Sequence, residues 1–130
     1  FIIRSFSGGQ KINSDTYKLE FWKNMLKSPY VLCVRGAGNY SARFYETLAM
    51  GRIPVLVDTD CILPLDGKIN WKQHCIWVEN NKLDSIIEKI DNFHRKLSNN
   101  EFRSQQILNR QLWNDQLTYD GFFRSWSRMT

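Results

Sequence analysis

The sequence contains few of the residues on which metal-binding and disulfide-rich proteins depend. Its 130 residues include three cysteines and two histidines, with no Cys-x-x-Cys pair and no mixed Cys/His cluster. A structural zinc site is therefore not expected. A Cys61–Cys75 disulfide is an alternative that only an oxidising compartment would favour.

Long apolar runs are also missing. No stretch approaches the roughly 20 residues of a membrane-spanning helix, so we expect no span in this chain. The length suits a single domain, residues 1–130. The chain begins on FIIRSF, which is typical of a buried strand, without an initiator Met or a signal peptide. We therefore expect it to be a piece of a longer protein, and its compartment stays open.

The charges are unbalanced but dispersed. Eighteen Lys and Arg against 13 Asp and Glu give a net charge of +5. An excess of positive charge favours anionic partners such as phosphates and nucleotides. Because no block of five or six like charges occurs, we expect no dedicated nucleic-acid arm and no nucleic-acid partner.

Hydrophobic periodicity predicts alternating strands and helices. The predicted strands are FIIRSF, YVLCV, IPVLV and CIWV. Five helices are predicted, at residues 14–28, 41–51, 81–98, 100–119 and 120–129. The first has Leu19, Trp22, Met25 and Leu26 on one face, and the second runs from a Ser41 N-cap to a Gly51 stop. The third has a face of Leu83, Ile86, Ile87, Ile90, Phe93 and Leu97.

This alternation predicts an α/β fold, a Rossmann-like parallel sheet flanked by helices. The apolar runs YVLCV and IPVLV are typical of strands covered on both faces. Ligands of such sheets bind beyond the carboxyl ends of the strands. The rule selects the loops that follow YVLCV, IPVLV and CIWV.

The first of these loops has the composition of an anion site. Gly36 and Gly38 tolerate positive φ and permit a tight turn. The helix that starts near Ser41 directs its free backbone N–H groups into the same loop. Arg35 and Arg43 can bind a diphosphate there through forked hydrogen bonds.

Glu46 is the residue that distinguishes a nucleotide from phosphate alone. It follows Arg43 by three positions, so both side chains project from one helix face. A carboxylate accepts hydrogen bonds from ribose hydroxyls, as an acidic residue does in dinucleotide folds. The alternative is an ordinary surface ion pair worth under about 1 kcal/mol, and the residues alone do not choose between the two.

Other polar residues near this edge have two interpretations each. Asp58 and Asp60 form an Asp-x-Asp that would suit Mg²⁺, but a solvated turn is favoured. Asn70 and Trp71 are expected to shape the loop near the ligand, where Trp71 either stacks on a base or fills the core. His74 is placed near the ligand-edge loop, as a catalytic base or as a structural histidine.

Taken together, the stretch YVLCVRGAGNYSARFYETLAMGRIPVLV and the later LPLDGKINW resemble the exostosin family of glycosyltransferases. The shared pattern is an apolar strand ending in Arg-Gly, a loop with Ser, Arg-Phe-x-Glu, a Gly, Ile-Pro-Val and a Leu-Pro segment. The resemblance covers residues 27–79. Val34, Arg52 and Leu65 depart from the family's usual Pro, Cys and Phe.

The resemblance implies the C-terminal, donor-binding lobe of a GT-B glycosyltransferase, which acts together with a missing N-terminal lobe. The donor would be a nucleotide sugar, usually UDP-linked, and the acceptor a glycan. Transfer would be inverting and would need no cofactor and no Asp-x-Asp metal. The implied donor-binding residues are Arg35, Gly36, Ser41, Arg43 and Glu46.

The catalytic base is unknown and is expected in the missing lobe, so the chain alone is expected to be inactive. The compartment would be cytoplasmic for a bacterial protein and the Golgi lumen for a eukaryotic secretory one. Two alternatives stay open. One is a GDP-sugar enzyme similar to a fucosyltransferase. The other is a basic Rossmann-like binding module without sugar chemistry.

Overall fold

The centre of the fold is a three-stranded parallel sheet. In the computed structural model, which describes residues 16, 19–20, 23, 26–36 and 38–128, the strands are β1 (Tyr30–Cys33), β2 (Ile53–Asp58) and β3 (Ile76–Glu79). The strand order is β1–β2–β3. The register pairs Leu32 with Val55 and Leu56 with Trp77. The α/β class with a parallel sheet flanked by helices is confirmed.

Four helices lie after β1 in the described chain. They are α1 (Ala42–Ala49), α2 (Ile86–Arg95), α3 (Asn99–Leu112) and α4 (Tyr119–Ser127). Short 3₁₀ turns occupy Trp71–Gln73 and Asn80–Ser85, and a π turn at Trp113–Leu117 joins α3 to α4. None of the described helices combines the length and apolar character needed to cross a membrane.

The helix boundaries follow local sequence signals. Gly51 ends α1 with φ of +64°, where its N–H donates to the Leu48 carbonyl at 3.0 Å. A Cβ there would lie 3.3 Å from the Gln106 carbonyl oxygen, so glycine suits both the conformation and the contact with α3. The predicted stop at Gly51 is confirmed. At α3, Ser98 and Glu101 form a reciprocal capping box that our interpretation of the sequence missed.

Both faces of the sheet carry a core. On one face Phe44, Leu48 and Leu56 pack with Trp71 and Leu112. The opposite core joins a second set of strand residues to α2 and α3. That set is Ile53, Val55, Ile76 and Val78, with Ile86, Ile90, Phe93 and Phe102 packed against it. Strand β2 is therefore covered on both sides, as its continuous apolar run predicts.

The predicted burial is wrong in part for strand β1 and for the helix predicted at residues 81–98. Strand β1 forms one edge of the described sheet, and Leu32 and Val34 are 36% and 51% exposed, so it is not covered on both faces. Leu83 and Ile87 are 48% and 75% exposed and lie outside the core. The cause at Leu83 is that the chain first makes the 3₁₀ turn Asn80–Ser85, with a non-helical Lys82, before α2 begins.

Part of the N-terminal prediction lies outside the described residues. Residues 16, 19–20, 23 and 26–27 are helical, in agreement with the helix predicted at 14–28. The predicted strand at residues 1–6 is not among the described positions.

One buried amide joins α3 to the amino ends of β2 and β3. Asn109 is 0% exposed, and its Nδ2 donates to the Arg52 and His74 carbonyls, both at 3.0 Å. Its Oδ1 accepts from His74 Nδ1 at 3.1 Å and from Gln105 Nε2 at 3.0 Å. Because carbonyls only accept, the two carbonyl contacts fix the orientation of the amide, and His74 must donate from Nδ1.

Replacing Asn109 by Leu is expected to lower the free energy of unfolding by about 2–5 kcal/mol, because two buried carbonyls lose their donor. Asn100→Leu, at an exposed position of the same helix, is the matched control and should change it by less than about 0.5 kcal/mol. Urea unfolding of the full chain, followed by circular dichroism, measures both. Equal stability of the two variants would contradict the assigned role of Asn109.

Candidate functional site

The loops after β1 and β2 meet at the carboxyl edge of the sheet. Asn39, in the first loop, and Thr59, in the second, are joined by two hydrogen bonds. The arrangement follows from parallel strands, whose carboxyl ends all lie at one edge. Residues 38–41 and the start of α1 therefore lie beside residues 59–63, as expected for a ligand edge.

The first loop is tight, but its glycines do not use positive φ as we expected. Gly36 N–H donates to the Tyr40 carbonyl at 3.0 Å, which closes the turn. Among the described glycines, only Gly51 and Gly67 have positive φ. A Cβ at position 38 would lie 2.8 Å from a ring carbon of Tyr40, so a larger residue there would displace that exposed ring.

Helix α1 opens into this loop without a side-chain cap. Ser41 occupies the predicted N-cap position in an extended conformation, φ −124° and ψ 111°, but its side chain makes no capping hydrogen bond. The first turn of α1 also contains no acidic residue. The positive end of the helix dipole therefore points into the loop with no capping side chain and no acidic residue beside it, while the Phe44 N–H donates to the Ser41 carbonyl at 3.2 Å.

Arg43 and Glu46 lie on the flank of α1 that faces the end of β1. Burial raises the pKa of the Cys33 thiol to about 12; the charge of Arg43 opposes that rise and the charge of Glu46 adds to it. Both charges therefore act on the same buried sulfur. Arg43 is exposed and Glu46 is partly buried, while Arg35 is exposed in the loop between β1 and α1.

The Asp-x-Asp sequence forms a turn whose first carboxylate has partners in the protein. Asp58 Oδ1 accepts from the Asp60 N–H at 2.9 Å, and Oδ2 accepts from Trp77 Nε1 at 3.1 Å. Asp60 has φ of 59° and is exposed. The described residues include no group of three His, Cys, Asp or Glu side chains that could hold a metal ion.

Trp71 is buried and bonds to the loop that contains Pro64. It is 4% exposed, its Nε1 donates to the Pro64 carbonyl at 3.0 Å, and its ring lies 5.4 Å from that of Phe44. Asn70 is exposed and begins the turn, with its carbonyl accepting from Gln73 N–H at 3.0 Å. Of the two interpretations of Trp71, its burial therefore matches the core residue.

His74 does not lie near the ligand edge. Its ring and carbonyl both bond to Asn109, beside Arg52. Arg52 and His74 precede β2 and β3, so they lie at the amino edge of the sheet. The expected position near the ligand loop is wrong because the chain from Asp60 to Trp71 returns across the sheet before β3 begins.

A small, mostly apolar cleft lies on the other flank of the α1 N-terminus. Its cavity volume is about 10 Å³, far below the roughly 300 Å³ at which typical small-molecule sites begin. It is lined by Tyr40, Ser41, Phe44, Tyr45, Leu56, Cys61, Ile62 and Leu63. Of the predicted donor-binding residues, only Ser41 contributes to this lining, while Arg35, Arg43 and Glu46 lie outside it.

Sequence similarity supports a relation to known glycosyltransferases. The chain is 36% identical to Exostosin-1 of Drosophila melanogaster over 67 residues, which are 52% of this chain and 9% of that protein. It is 33% identical over 73 residues to a probable glucuronosyltransferase of Oryza sativa subsp. japonica, covering 54% of this chain and 18% of the relative. These homologues confirm the predicted resemblance. The chain is similar to these exostosin-family proteins over about half of its length.

A third relative extends this comparison. The chain is 28% identical over 80 residues to the probable beta-1,4-xylosyltransferase IRX10 of Arabidopsis thaliana, covering 59% of this chain and 19% of that protein. The matched stretches span less than a fifth of the curated relatives. No protein-family model matches the chain.

The three cysteines are free, so the disulfide alternative is not formed in the structure. Cys33 and Cys75 are buried, which raises the pKa of each thiol to about 12 from 9.0. Cys61 is partly exposed and lines the cleft.

We expect the free energy of unfolding to fall as pH rises above about 9. Unfolded thiols ionise near 9.0, whereas those of folded Cys33 and Cys75 stay protonated to about 12. The folded state then binds more protons, and stability is lost with increasing pH. Urea unfolding at pH 8 and pH 10 measures the loss. Cys33→Ala should reduce the difference between the two pH values, and an unchanged difference would contradict this explanation.

Proposed function

We propose that this chain is the donor-nucleotide-binding lobe of an exostosin-like, GT-B glycosyltransferase. The observation that carries the proposal is the open start of α1 at the carboxyl edge of the sheet, with Arg35, Arg43 and Glu46 around it. The names of the relatives, which include glucuronosyltransferases and a xylosyltransferase, support sugar transfer. The donor would be a UDP-sugar and the acceptor a glycan.

The positive groups fit a diphosphate. Backbone N–H groups at the start of a helix and forked guanidinium groups both bind phosphate oxygens. In an inverting transfer, an acceptor hydroxyl attacks the anomeric carbon and the nucleoside diphosphate leaves. Arg35, Arg43 and the α1 N-terminus would stabilise the negative charge that develops on the leaving group. Positive charge from the protein would serve in place of a metal ion.

Glu46 would accept hydrogen bonds from the ribose hydroxyls. It lies one helical turn beyond the N-terminus of α1. Its partial burial and its position beside Arg43 agree with this role.

The chain by itself forms only part of an active site. The cleft beside Tyr40 and Ser41 is too small for a whole nucleotide sugar. His74 lies at the opposite edge of the sheet and is bound to Asn109. The catalytic base and one wall of the site would therefore come from an N-terminal lobe, and this chain alone should bind nucleotide without turnover.

Glu46→Ala is expected to weaken binding of UDP by roughly 1–3 kcal/mol through the lost ribose contacts. Isothermal titration of the full chain measures the change, with Glu88→Ala as the matched control, since Glu88 is an exposed carboxylate on α2. Equal UDP affinity of wild type and Glu46→Ala would remove Glu46 from the proposal.

Arg43→Ala should weaken UDP binding more than uridine monophosphate binding, because the monophosphate lacks the second phosphate group.

Parallel titrations with UDP and GDP separate a UDP-sugar enzyme from a GDP-sugar one. Absence of binding to either nucleotide would favour the binding-module alternative. Robust sugar transfer by the 130-residue chain would contradict the need for a second lobe.

A further inference from the structure

The two loops at the carboxyl edge are joined by a reciprocal pair of hydrogen bonds that our interpretation of the sequence did not predict. Asn39 Nδ2 donates to the Thr59 carbonyl at 3.1 Å. Thr59 Oγ1 donates to Asn39 Oδ1 at 2.6 Å. Each residue is thus both donor and acceptor, which fixes the relative position of the loops more narrowly than one bond would.

Thr59 is held from the sheet side. Its neighbour Asp58 accepts from the indole N–H of Trp77 on β3 and from the N–H of Asp60. The Trp77 carbonyl in turn accepts from Lys89 Nζ on α2 at 3.1 Å. The Thr59 end of the pair therefore belongs to a part of the molecule that is fixed by β3 and α2.

Among the described residues of its loop, Asn39 is the one whose side chain bonds to the second loop. Gly36 and Gly38 are in the same loop, and glycine loses more conformational freedom on ordering than any other residue. Apart from the Asn39–Thr59 pair, the loop is closed by the hydrogen bond from Gly36 N–H to the Tyr40 carbonyl. That internal bond shapes the turn but does not fix it relative to β2.

We propose that Asn39 and Thr59 are positioning residues that hold the loop carrying Arg35 at the diphosphate site. The inference rests on the proposed nucleotide-binding function. In this inference the second loop aligns Arg35. Trp77 orients Asp58, and the adjoining Thr59 holds Asn39. Asn39 then sets the path of the loop that carries Arg35. Binding of the diphosphate then needs less ordering of the loop.

The test measures UDP affinity of the full chain by isothermal titration for Thr59→Val, which keeps the shape and removes the hydroxyl. We expect a two- to tenfold weaker affinity, the range of one ordinary hydrogen bond. Thr59→Ser keeps the hydroxyl and should restore wild-type affinity. Asn92→Ala, at an exposed position on α2, is the control for a general effect of substitution.

A double-mutant cycle separates positioning from simple structural support. Arg35→Ala should cost less affinity in the Thr59→Val background than in wild type, because a mispositioned Arg35 has less binding to lose. Additive effects would overturn the inference. So would a Thr59→Val variant with a lowered melting temperature and unchanged UDP affinity, since the pair would then serve stability alone.

Failure of the underlying function gives a different result. If wild type does not bind UDP at all, the proposed function is wrong and the inference falls with it. If wild type binds UDP and Thr59→Val binds equally well, the inference alone is wrong. Weaker binding, rescue by serine and a non-additive cycle together would support it.

Discussion

The buried amide of Asn109 is the contact on which the arrangement of the described elements depends. It satisfies the carbonyls of Arg52 and His74, the residues from which the chain enters β2 and β3. Buried carbonyls without donors are costly, so α3 must pack where Asn109 can reach both. The Arg110 guanidinium adds a bond to the Ala49 carbonyl at the end of α1. One helix thereby fixes the amino edge of the sheet.

Stability and ligand binding are consequently separated between the two edges. The amino edge carries the polar network around Asn109, with His74 inside it. The carboxyl edge carries exposed Arg35 and Arg43 and a helix start without a side-chain cap. Ligands of parallel α/β sheets bind beyond the carboxyl ends of the strands, which is this edge. Strand β2 connects the two edges, and its burial on both faces makes it a rigid support for the second loop.

The local part of this arrangement could be predicted from the sequence. Continuous apolar runs marked the strands, and Ser41 and Gly51 marked the ends of α1, because these signals act within a few residues. The capping box of Ser98 and Glu101 has an equally local signature and could have been found. The exposure of Leu32, Leu83 and Ile87 could not, since an apolar residue carries no mark of whether another element will cover it.

The sequence by itself determined the class of fold, the strands β1 to β3, the loop with Arg35 and the helix with Arg43 and Glu46, because periodicity and residue type act over short distances. Only the tertiary structure decided which polar groups meet. It placed His74 beside Asn109 and away from the ligand edge, turned Asp58 toward Trp77, and joined Asn39 to Thr59. Partners 19 to 35 residues apart leave no pattern in a single sequence. Their contact depends on how the strands and helices pack.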